Sequence, residues 1–196
     1  YGFCKGNNLC VRHAKGEYLA FLNNDTFVAS DWLTNLVAGC LSENGVVLAA
    51  SKLLCPHLEN GRIVNAAGGV FFPVGGGIEE GYLEPDVPSY HIQKYTGFGC
   101  GAAILVEKRF FLDTGAFDEY YFHSFEDVDL GLRAWLYGHK VLYVPSSVAW
   151  HYMGGTGSRG KGSTPTLVFL SIRNRLYLLV KNYEVQTILK GIFLNH

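Results

Sequence analysis

The stretch FHSFEDVDLGLRAW, residues 122–135, places three carboxylates within four positions and follows them with large apolar side chains. Val128, Leu132 and Trp135 recur at helical spacing, which predicts an amphipathic helix. Gly138 is expected to end that helix, because glycine readily takes the left-handed conformation of a C-terminal cap.

Structural roles account for each polar residue of this stretch taken singly. Ser124 can cap the helix, and acidic side chains in a first turn complement the helix dipole. Asp129 and Arg133 are four residues apart and can form an ion pair. The adjacent Glu126 and Asp127 follow an aromatic run, where burying a charge is costly, so a chemical role for them competes evenly with a structural one.

The composition indicates a globular domain. The chain has 196 residues, enough for a substantial core, and we expect residues 1–196 to form a single domain. A hydrophobic content of 48 % with 17 % charged residues argues against disorder, and a net charge of −1 argues against nucleic acid as a partner. No apolar run is long enough to predict a membrane span. The five cysteines form no C-x-x-C pair, so mostly buried free thiols in a reducing compartment are expected.

Apolar runs alternate with helical patterns along the rest of the chain, which predicts the α/β class. The segment 60–90 is rich in glycine, proline and aromatic residues and predicts only short strands and turns. Strands are expected over residues 18–22, 46–54, 102–106, 140–144 and 147–152, the last two divided by Pro145, and helices over residues 31–41 and 166–183.

The first predicted strand ends in Asn23, Asn24 and Asp25. Ligands of open α/β sheets bind beyond the carboxyl ends of strands, and oxygen ligands suit Mg²⁺ or Mn²⁺. Asp25 is therefore a candidate metal ligand, with two amide side chains beside it. The alternative is a plain turn, since Asn and Asp favour turns by bonding to their own backbone.

His151 ends the last predicted strand and could supply an imidazole to the same cation; the alternative is a histidine of the core or its rim. The loop that follows, GGTGSRGKGST (154–164), combines glycines with Ser158, Arg159 and Lys161. This composition suits a mobile lid over a diphosphate, and a solvated linker is the alternative.

Taken together, these motifs resemble the family 2 inverting glycosyltransferases, and most closely their rhamnosyltransferase-like members. The resemblance covers nearly the whole chain, and its middle block is the most specific part. The motifs are N-x₇-G-E-Y-L-x-F-L-N-N-D (8–25), G-A-F-D-E-x-x-F-x-x-x-E-D-V-D-L-x-x-R-x-x-x-x-G (115–138), HYMGGTGS (151–158) and R-N (173–174).

The resemblance implies a GT-A fold, in which a mixed, mainly parallel sheet is sandwiched between helices. The first strand and first helix of that family have no counterpart in this sequence. YGFCKGNN (1–8) is expected to be part of a loop, and the chain to be incomplete at its N-terminus.

The resemblance also implies roles for individual residues. Asp127 would be the general base that activates the acceptor hydroxyl, and Asp25 and His151 would hold Mg²⁺ or Mn²⁺. The implied substrate-binding residues are Asn8, Asn23, Asn24, Gly101, Glu126, Arg133, Ser158 and Arg159.

The implied activity is metal-dependent transfer of a sugar, with inversion, from a nucleoside diphosphate sugar to a hydroxyl of a glycan or glycolipid acceptor. Such enzymes build the polysaccharides of cell envelopes, which implies a cytoplasmic protein and allows peripheral contact with the inner face of the plasma membrane. Three alternatives remain open, the most distant of them a metal-dependent hydrolase that would cleave a sugar nucleotide without an acceptor. A nucleotidyltransferase on a related fold would need a glycine-rich basic loop near its start. A non-catalytic module would bind a sugar or a partner through the same residues.

Overall fold

The computed structural model describes residues 1–72, 75–153 and 164–188. Its helices are α1 (Gly2–Val11), α2 (Trp32–Leu41), α3 (Lys108–Asp113), α4 (Glu126–Leu136) and α5 (Pro165–Asn182). Its strands are β1 (Tyr18–Leu22), β2 (Thr26–Val28), β3 (Val46–Cys55), β4 (Ile63–Ala66), β5 (Gly69–Phe71), β6 (Gly77–Glu79), β7 (Lys94–Tyr95), β8 (Ala103–Glu107) and β9 (Lys140–His151).

The main sheet is mixed, as the sequence predicts. Its strands follow the order β1-β8-β3-β9-β2, with β4 added beside β3 and β7 beside β9. The expectation of a mainly parallel sheet is wrong for the described strands, because β3 and β9 form their one parallel pair and the other pairs are antiparallel. β8 lies between β1 and β3 and runs opposite to both, and β2, β4 and β7 also run opposite to the strands they pair with.

Two local predictions also differ from the structure. Residues 2–11 form a helix, α1, where a loop was expected, and Phe3 N–H of this helix donates to Phe122 O at 2.8 Å. Pro145 does not divide the last strand. The ladder between β3 and β9 instead shifts register between Ser51 and Lys52, so residues 145–147 bulge out and no ladder bond requires the missing proline N–H.

The core has two layers, one on each face of the sheet. Along β8 the side chains alternate: Ile104 and Val106 pack with α3 and α4, whereas Ala103 and Leu105 pack with α2. The prediction of a sheet between helices is therefore confirmed. Among the described residues, no helix is both long and apolar enough to cross a bilayer.

This topology gathers the candidate residues at one edge of the sheet. Strands β1, β3 and β9 point the same way, so the ends of β1 and β9 lie at the edge where β8 begins. Asn23, just after β1, donates its N–H to Ala102 O at 2.9 Å, just before β8. Asp25, Gly101 and His151 consequently meet at this edge, although they are far apart in sequence.

Candidate active site

A cavity of about 250 Å³ opens at this edge of the sheet. Asp127 from the start of α4 lines it together with His151 from the end of β9 and Asn23 from the end of β1. The cavity therefore joins the predicted base to one of the predicted metal ligands. Its other lining residues are Phe3, Gly77, Glu79, Phe98, Cys100, Gly101, Ala102, His123, Ser124, Phe125, Glu126 and Val128.

Two backbone N–H groups hold the carboxylate of Asp127. Gly101 N–H donates to Oδ2 at 2.8 Å, and Val128 N–H donates to Oδ1 at 2.9 Å. These bonds fix the direction of the carboxylate and lower its pKa, but burial outweighs them and the pKa of Asp127 is raised above its ordinary value. A raised pKa makes the carboxylate a stronger base. A position at a helix start lowers the pKa of a carboxyl group, whereas burial raises it, and for Asp127 burial has the larger effect. Gly101, predicted to bind substrate, positions Asp127 here.

Glu126 lies in the core beside Asp127. Its side chain is buried, and within the described part of the chain its Oε2 atom has no hydrogen-bond partner. Burial, followed by the charge of Asp127, raises the pKa of Glu126 to about 8. Burial thus raises the pKa of both adjacent acids, which is typical of acids at functional sites.

The backbone before α4 is strained. Phe122, Ser124 and Phe125 all have positive φ angles, of 64°, 72° and 72°, which side chains of this size rarely adopt. Phe125 is the N-terminal cap residue and no side chain caps the helix, so the prediction that Ser124 caps it is wrong. Because a cap residue normally has an extended backbone, the left-handed turn removes Ser124 from that role.

Asn174 of α5 holds this strained segment in place. Its buried amide nitrogen donates to Tyr121 O at 2.9 Å, His123 O at 2.9 Å and Ser124 O at 2.7 Å. The R-N motif at residues 173–174 thus supports the residues that present Glu126 and Asp127 to the cavity.

Asp129 and Arg133 have a structural role rather than a role in the site. Arg133 Nε donates to Asp129 Oδ2 at 2.8 Å, and the guanidinium also donates to Thr114 O and Ala116 O, each at 2.8 Å. Asp129 is fully buried and accepts from Lys181 at 3.0 Å as well. The ion pair predicted from the four-residue spacing is confirmed, and the guanidinium is committed to it.

Asn8 and Arg133 are not brought to the cavity around Asp127. They line a separate cavity of about 690 Å³. The Asn8 amide donates to Phe117 O at 2.7 Å and accepts from Phe117 N–H at 3.1 Å, which ties α1 to the segment before α4. Of the other predicted residues, Asn24 is exposed in the turn after β1, and Ser158 and Arg159 lie outside the described residues.

Asp25 and His151 lie side by side, and both are largely buried. His151 Nε2 is 3.3 Å from Asp25 Oδ1, and His151 Nδ1 is 2.8 Å from Asn65 Oδ1 on β4. With the Asn65 amide in this orientation, Nδ1 carries the proton and the lone pair of Nε2 faces the carboxylate. Burial lowers the pKa of His151, which favours the neutral ring.

This pair fits a divalent cation. A neutral imidazole nitrogen and a carboxylate oxygen are suitable ligands for Mn²⁺ or Mg²⁺, and a second hydrogen bond from the ring is the usual support of a ligating histidine. Among the described residues, no group of three or more His, Cys, Asp or Glu side chains could surround one metal ion.

Sequence reasoning missed three residues of the site. Asn65 lies in a segment without periodicity, and its contact with His151 follows only from the pairing of β4 with β3. Glu79 lines the cavity from β6, and burial raises its pKa. His123 also lines the cavity, and its charge opposes the rise in the pKa of Asp127. The glycine-flanked acid pair in GGGIEEGY (75–82) is the one local signal that pointed to Glu79.

Comparisons with known proteins show similarity to glycosyltransferases. The family model described as Glycosyl transferase family 2 matches residues 1–53. Over 165 residues the chain is 28 % identical to rhamnosyltransferase WbbL of Escherichia coli (strain K12), covering 78 % of this chain and 61 % of that protein. The chain is therefore similar to family 2 glycosyltransferases in its first 53 residues and to a rhamnosyltransferase over most of its length.

Other relatives extend the comparison. Over 88 residues it is 34 % identical to N-acetylglucosaminyl-diphospho-decaprenol L-rhamnosyltransferase of Mycobacterium tuberculosis, covering 42 % of this chain and 29 % of that protein. An uncharacterized protein of Sinorhizobium fredii, y4gI, is 28 % identical over 81 % of this chain and 18 % of its own length. The chain thus spans from 18 % to 61 % of these relatives.

Solved structures show that the chain has the GT-A fold. GalNAc-T7 with UDP, GalNAc and Mn²⁺ superposes with a TM-score of 0.65 at 18 % identity, covering 91 % of this chain and 34 % of that one. Mannosyltransferase PcManGT from Pyrobaculum calidifontis, in complex with GDP-Man and Mn²⁺, gives a TM-score of 0.54 at 15 % identity, covering 97 % and 52 %.

Proposed function

We propose that this chain carries the catalytic part of a metal-dependent inverting glycosyltransferase, which moves a sugar from a nucleoside diphosphate donor to a hydroxyl of a glycan or lipid-linked acceptor. One observation carries the proposal: a single cavity is lined by the oriented carboxylate of Asp127 and by His151, the neighbour of Asp25. A base and a cation site on one cavity are what this transfer requires.

Asp127 acts on the acceptor. A sugar hydroxyl is a weak nucleophile, and Asp127 takes its proton as the oxygen bonds to the anomeric carbon of the donor. The bond from that carbon to the diphosphate breaks in the same displacement, and the electron pair leaves with the nucleoside diphosphate. A single attack from the opposite side inverts the configuration at the carbon.

Asp25 and His151 would hold the cation, with Asn65 orienting the imidazole. A bound Mn²⁺ or Mg²⁺ supplies positive charge to the departing diphosphate. The structural neighbours named above were solved with Mn²⁺, which supports a divalent cation without choosing between the two metals.

The substrates follow from the relatives. The two structural neighbours contain UDP and GDP-Man, and one sequence relative is named for a decaprenol-linked acceptor. We therefore assign a nucleoside diphosphate sugar as donor and a glycan or lipid-linked sugar as acceptor, at a peripheral position on a membrane when the acceptor is lipid-linked.

The test is a donor screen with a matched pair of variants. Nucleotide release from UDP-, GDP- and dTDP-sugars is measured with Mn²⁺ or with EDTA, for wild type, Asp127→Asn and Asp113→Asn. Asp113 is the control because it is an exposed aspartate paired with Arg109 on the surface. We expect metal-dependent release from one donor, a loss on the order of 10²-fold or more in Asp127→Asn, and no loss in the control.

The other outcomes separate the alternatives. Metal-independent binding of nucleotides without any release would contradict the proposal and leave a binding module. Release that survives Asp127→Asn would keep the enzyme and remove Asp127 as its base. Release of pyrophosphate from a nucleoside triphosphate would favour a nucleotidyltransferase.

A further inference from the structure

Glu79 is a carboxylate of the cavity to which the proposed reaction assigns no role. It is the last residue of β6 and lines the same cavity as Glu126 and Asp127. Burial raises the pKa of Glu79, and the charge of Asp127 raises it further, so the two carboxyl groups interact electrostatically.

The hairpin that carries Glu79 is firmly anchored. Gly69 pairs with Glu79 across the hairpin, and Thr96 Oγ1 accepts from Gly69 N–H at 2.7 Å and donates to Gly69 O at 2.9 Å. The buried ring of Phe98 supports the hairpin so closely that a Cβ atom at Gly77 would lie 2.5 Å from it. Glu79 is thus positioned by the fold itself, as a binding residue should be.

Glu126 gives an independent sign of a ligand in this cavity. Its Oε2 atom is buried without a hydrogen-bond partner among the described residues, and an unsatisfied buried polar atom is costly. A ligand hydroxyl in the cavity can satisfy this atom, because a hydroxyl both donates and accepts.

The size and charge of the cavity limit the ligand. At about 250 Å³ it is smaller than the 300–1,000 Å³ that is usual for drug-sized ligands, so it suits a single sugar unit. Its lining has three carboxyl groups, and the described lining residues include neither lysine nor arginine. A negatively charged sugar would meet like charge there, whereas a neutral sugar would offer hydroxyls to every carboxyl group.

We propose that Glu79 binds the acceptor sugar and that its carboxylate, beside that of Asp127, selects neutral sugars over sugars that carry a carboxylate. This inference rests on the proposed function, since it names the acceptor class of the same site. Glu79 is a specificity-determining residue in this account, and Asp127 remains the base.

Equilibrium binding to the full chain tests the inference without requiring turnover. Ligand-observed NMR titrations compare the methyl glycosides of glucose, galactose, mannose, rhamnose and N-acetylglucosamine with those of glucuronate and galacturonate. The variants are Glu79→Ala, Glu79→Gln and a control, Glu80→Gln. Glu80 is the next residue, and its carboxylate pairs with Lys94 at 2.7 Å instead of lining the cavity.

We expect at least one neutral glycoside to bind the wild type and the control, and the uronates to bind at least about tenfold more weakly. Glu79→Ala should weaken the neutral glycoside by about tenfold. Glu79→Gln should retain it within about threefold, because the amide keeps the hydrogen bonds, and should narrow the gap between neutral and acidic sugars. The ratio of neutral-sugar affinity to uronate affinity in Glu79→Gln tests the inference even if Glu79→Ala does not fold.

Three results would overturn the inference: no neutral glycoside binds the wild type, uronates bind equally well, or the Glu79 variants match the control. Failure of the proposed function looks different. If the proposed function fails while the inference holds, neutral sugars bind through Glu79 but no donor releases its nucleotide. If transfer occurs and the acceptor KM is unchanged in both Glu79 variants, the inference alone fails.

Discussion

At the scale of residues, the adjacent acids of α4 divide into two environments. Asp127 receives two backbone N–H groups, whereas Oε2 of Glu126 is buried without a partner in the described structure. The sequence reveals that two acids follow an aromatic run, but not which one the backbone supports. That assignment depends on Gly101, which is 26 residues away from Asp127, and on the left-handed turn at Ser124 and Phe125.

The pKa of Glu126 predicts a pH-dependent stability. An acid with a higher pKa in the folded state stabilises the fold less as pH rises from its ordinary value of 4.5 to about 8, because the unfolded chain loses the proton first. Glu126→Gln does not ionise at this position. As the pH rises from 5 to 8, the variant should therefore gain unfolding free energy relative to wild type, on the order of a few kcal/mol. Its thermal midpoint should rise relative to that of wild type over the same range.

Thermal unfolding followed by circular dichroism at pH 5, 6.5 and 8 measures this effect. Glu119→Gln is the control, since Glu119 is an exposed glutamate near Lys5 and should follow the wild type at every pH. A difference between Glu126→Gln and wild type that is the same at all three pH values would contradict the raised pKa of Glu126.

Asn65 predicts a metal-specific effect. Its Oδ1 atom orients the imidazole of His151, so Asn65→Ala should raise the Mn²⁺ concentration that gives half-maximal nucleotide release by about 10–100-fold. Saturating Mn²⁺ should restore most of the rate. A metal titration of release measures this, with Asn35→Ala as the control because Asn35 bonds to Ser146 O outside the site. An unchanged metal dependence would contradict the assignment of His151 as a ligand of the cation.

At the scale of elements, the packing of α4 decides where Asp127 points. The helix approaches the segment before β8 at Gly131, where a Cβ atom would lie 2.4 Å from Phe98 Cβ and 2.7 Å from Gly97 O. Helical spacing predicted the helix, and strand patterns predicted β1, β3 and β8, because these signals are local. The mainly antiparallel pairing and the role of β6 could not be predicted, because they depend on contacts between distant segments.

This close approach predicts an effect opposite to helix propensity. Alanine normally stabilises a helix over glycine by roughly 0.5–1 kcal/mol. Gly131→Ala should instead lower the thermal midpoint and the transfer rate, because α4 must move away from residues 97–98 and carry Asp127 with it. Gly6→Ala is the matched control in α1, where a Cβ atom meets nothing within 4 Å, and it should raise the midpoint slightly.

Thermal scans and rates of nucleotide release on both glycine variants provide the measurement. Equal gains in stability for Gly131→Ala and Gly6→Ala would show that α4 is free to adjust, and would contradict the tight seating of the helix that presents Asp127.

At the scale of the whole molecule, the sheet brings together residues that are separate in sequence. The sequence predicted Asp25, Asp127 and His151 as a set, and the structure places Asp127 and His151 on one cavity with Asp25 beside His151. Their roles remain proposals, as does the single domain. Asn8 and Arg133 match the motif of the family, but in the structure their side chains form hydrogen bonds that support the fold. The motif records the spacing of residues and not the partner of each side chain.

The most direct test of the account is the configuration of the product. Transfer by the wild type from the donor found in the screen is followed by NMR of the anomeric proton, with Asp127→Asn and Asp113→Asn in parallel. We expect a product of inverted configuration, formed by the wild type and by Asp113→Asn and lost in Asp127→Asn. A product that retains the configuration of the donor would contradict a single displacement with Asp127 as its base.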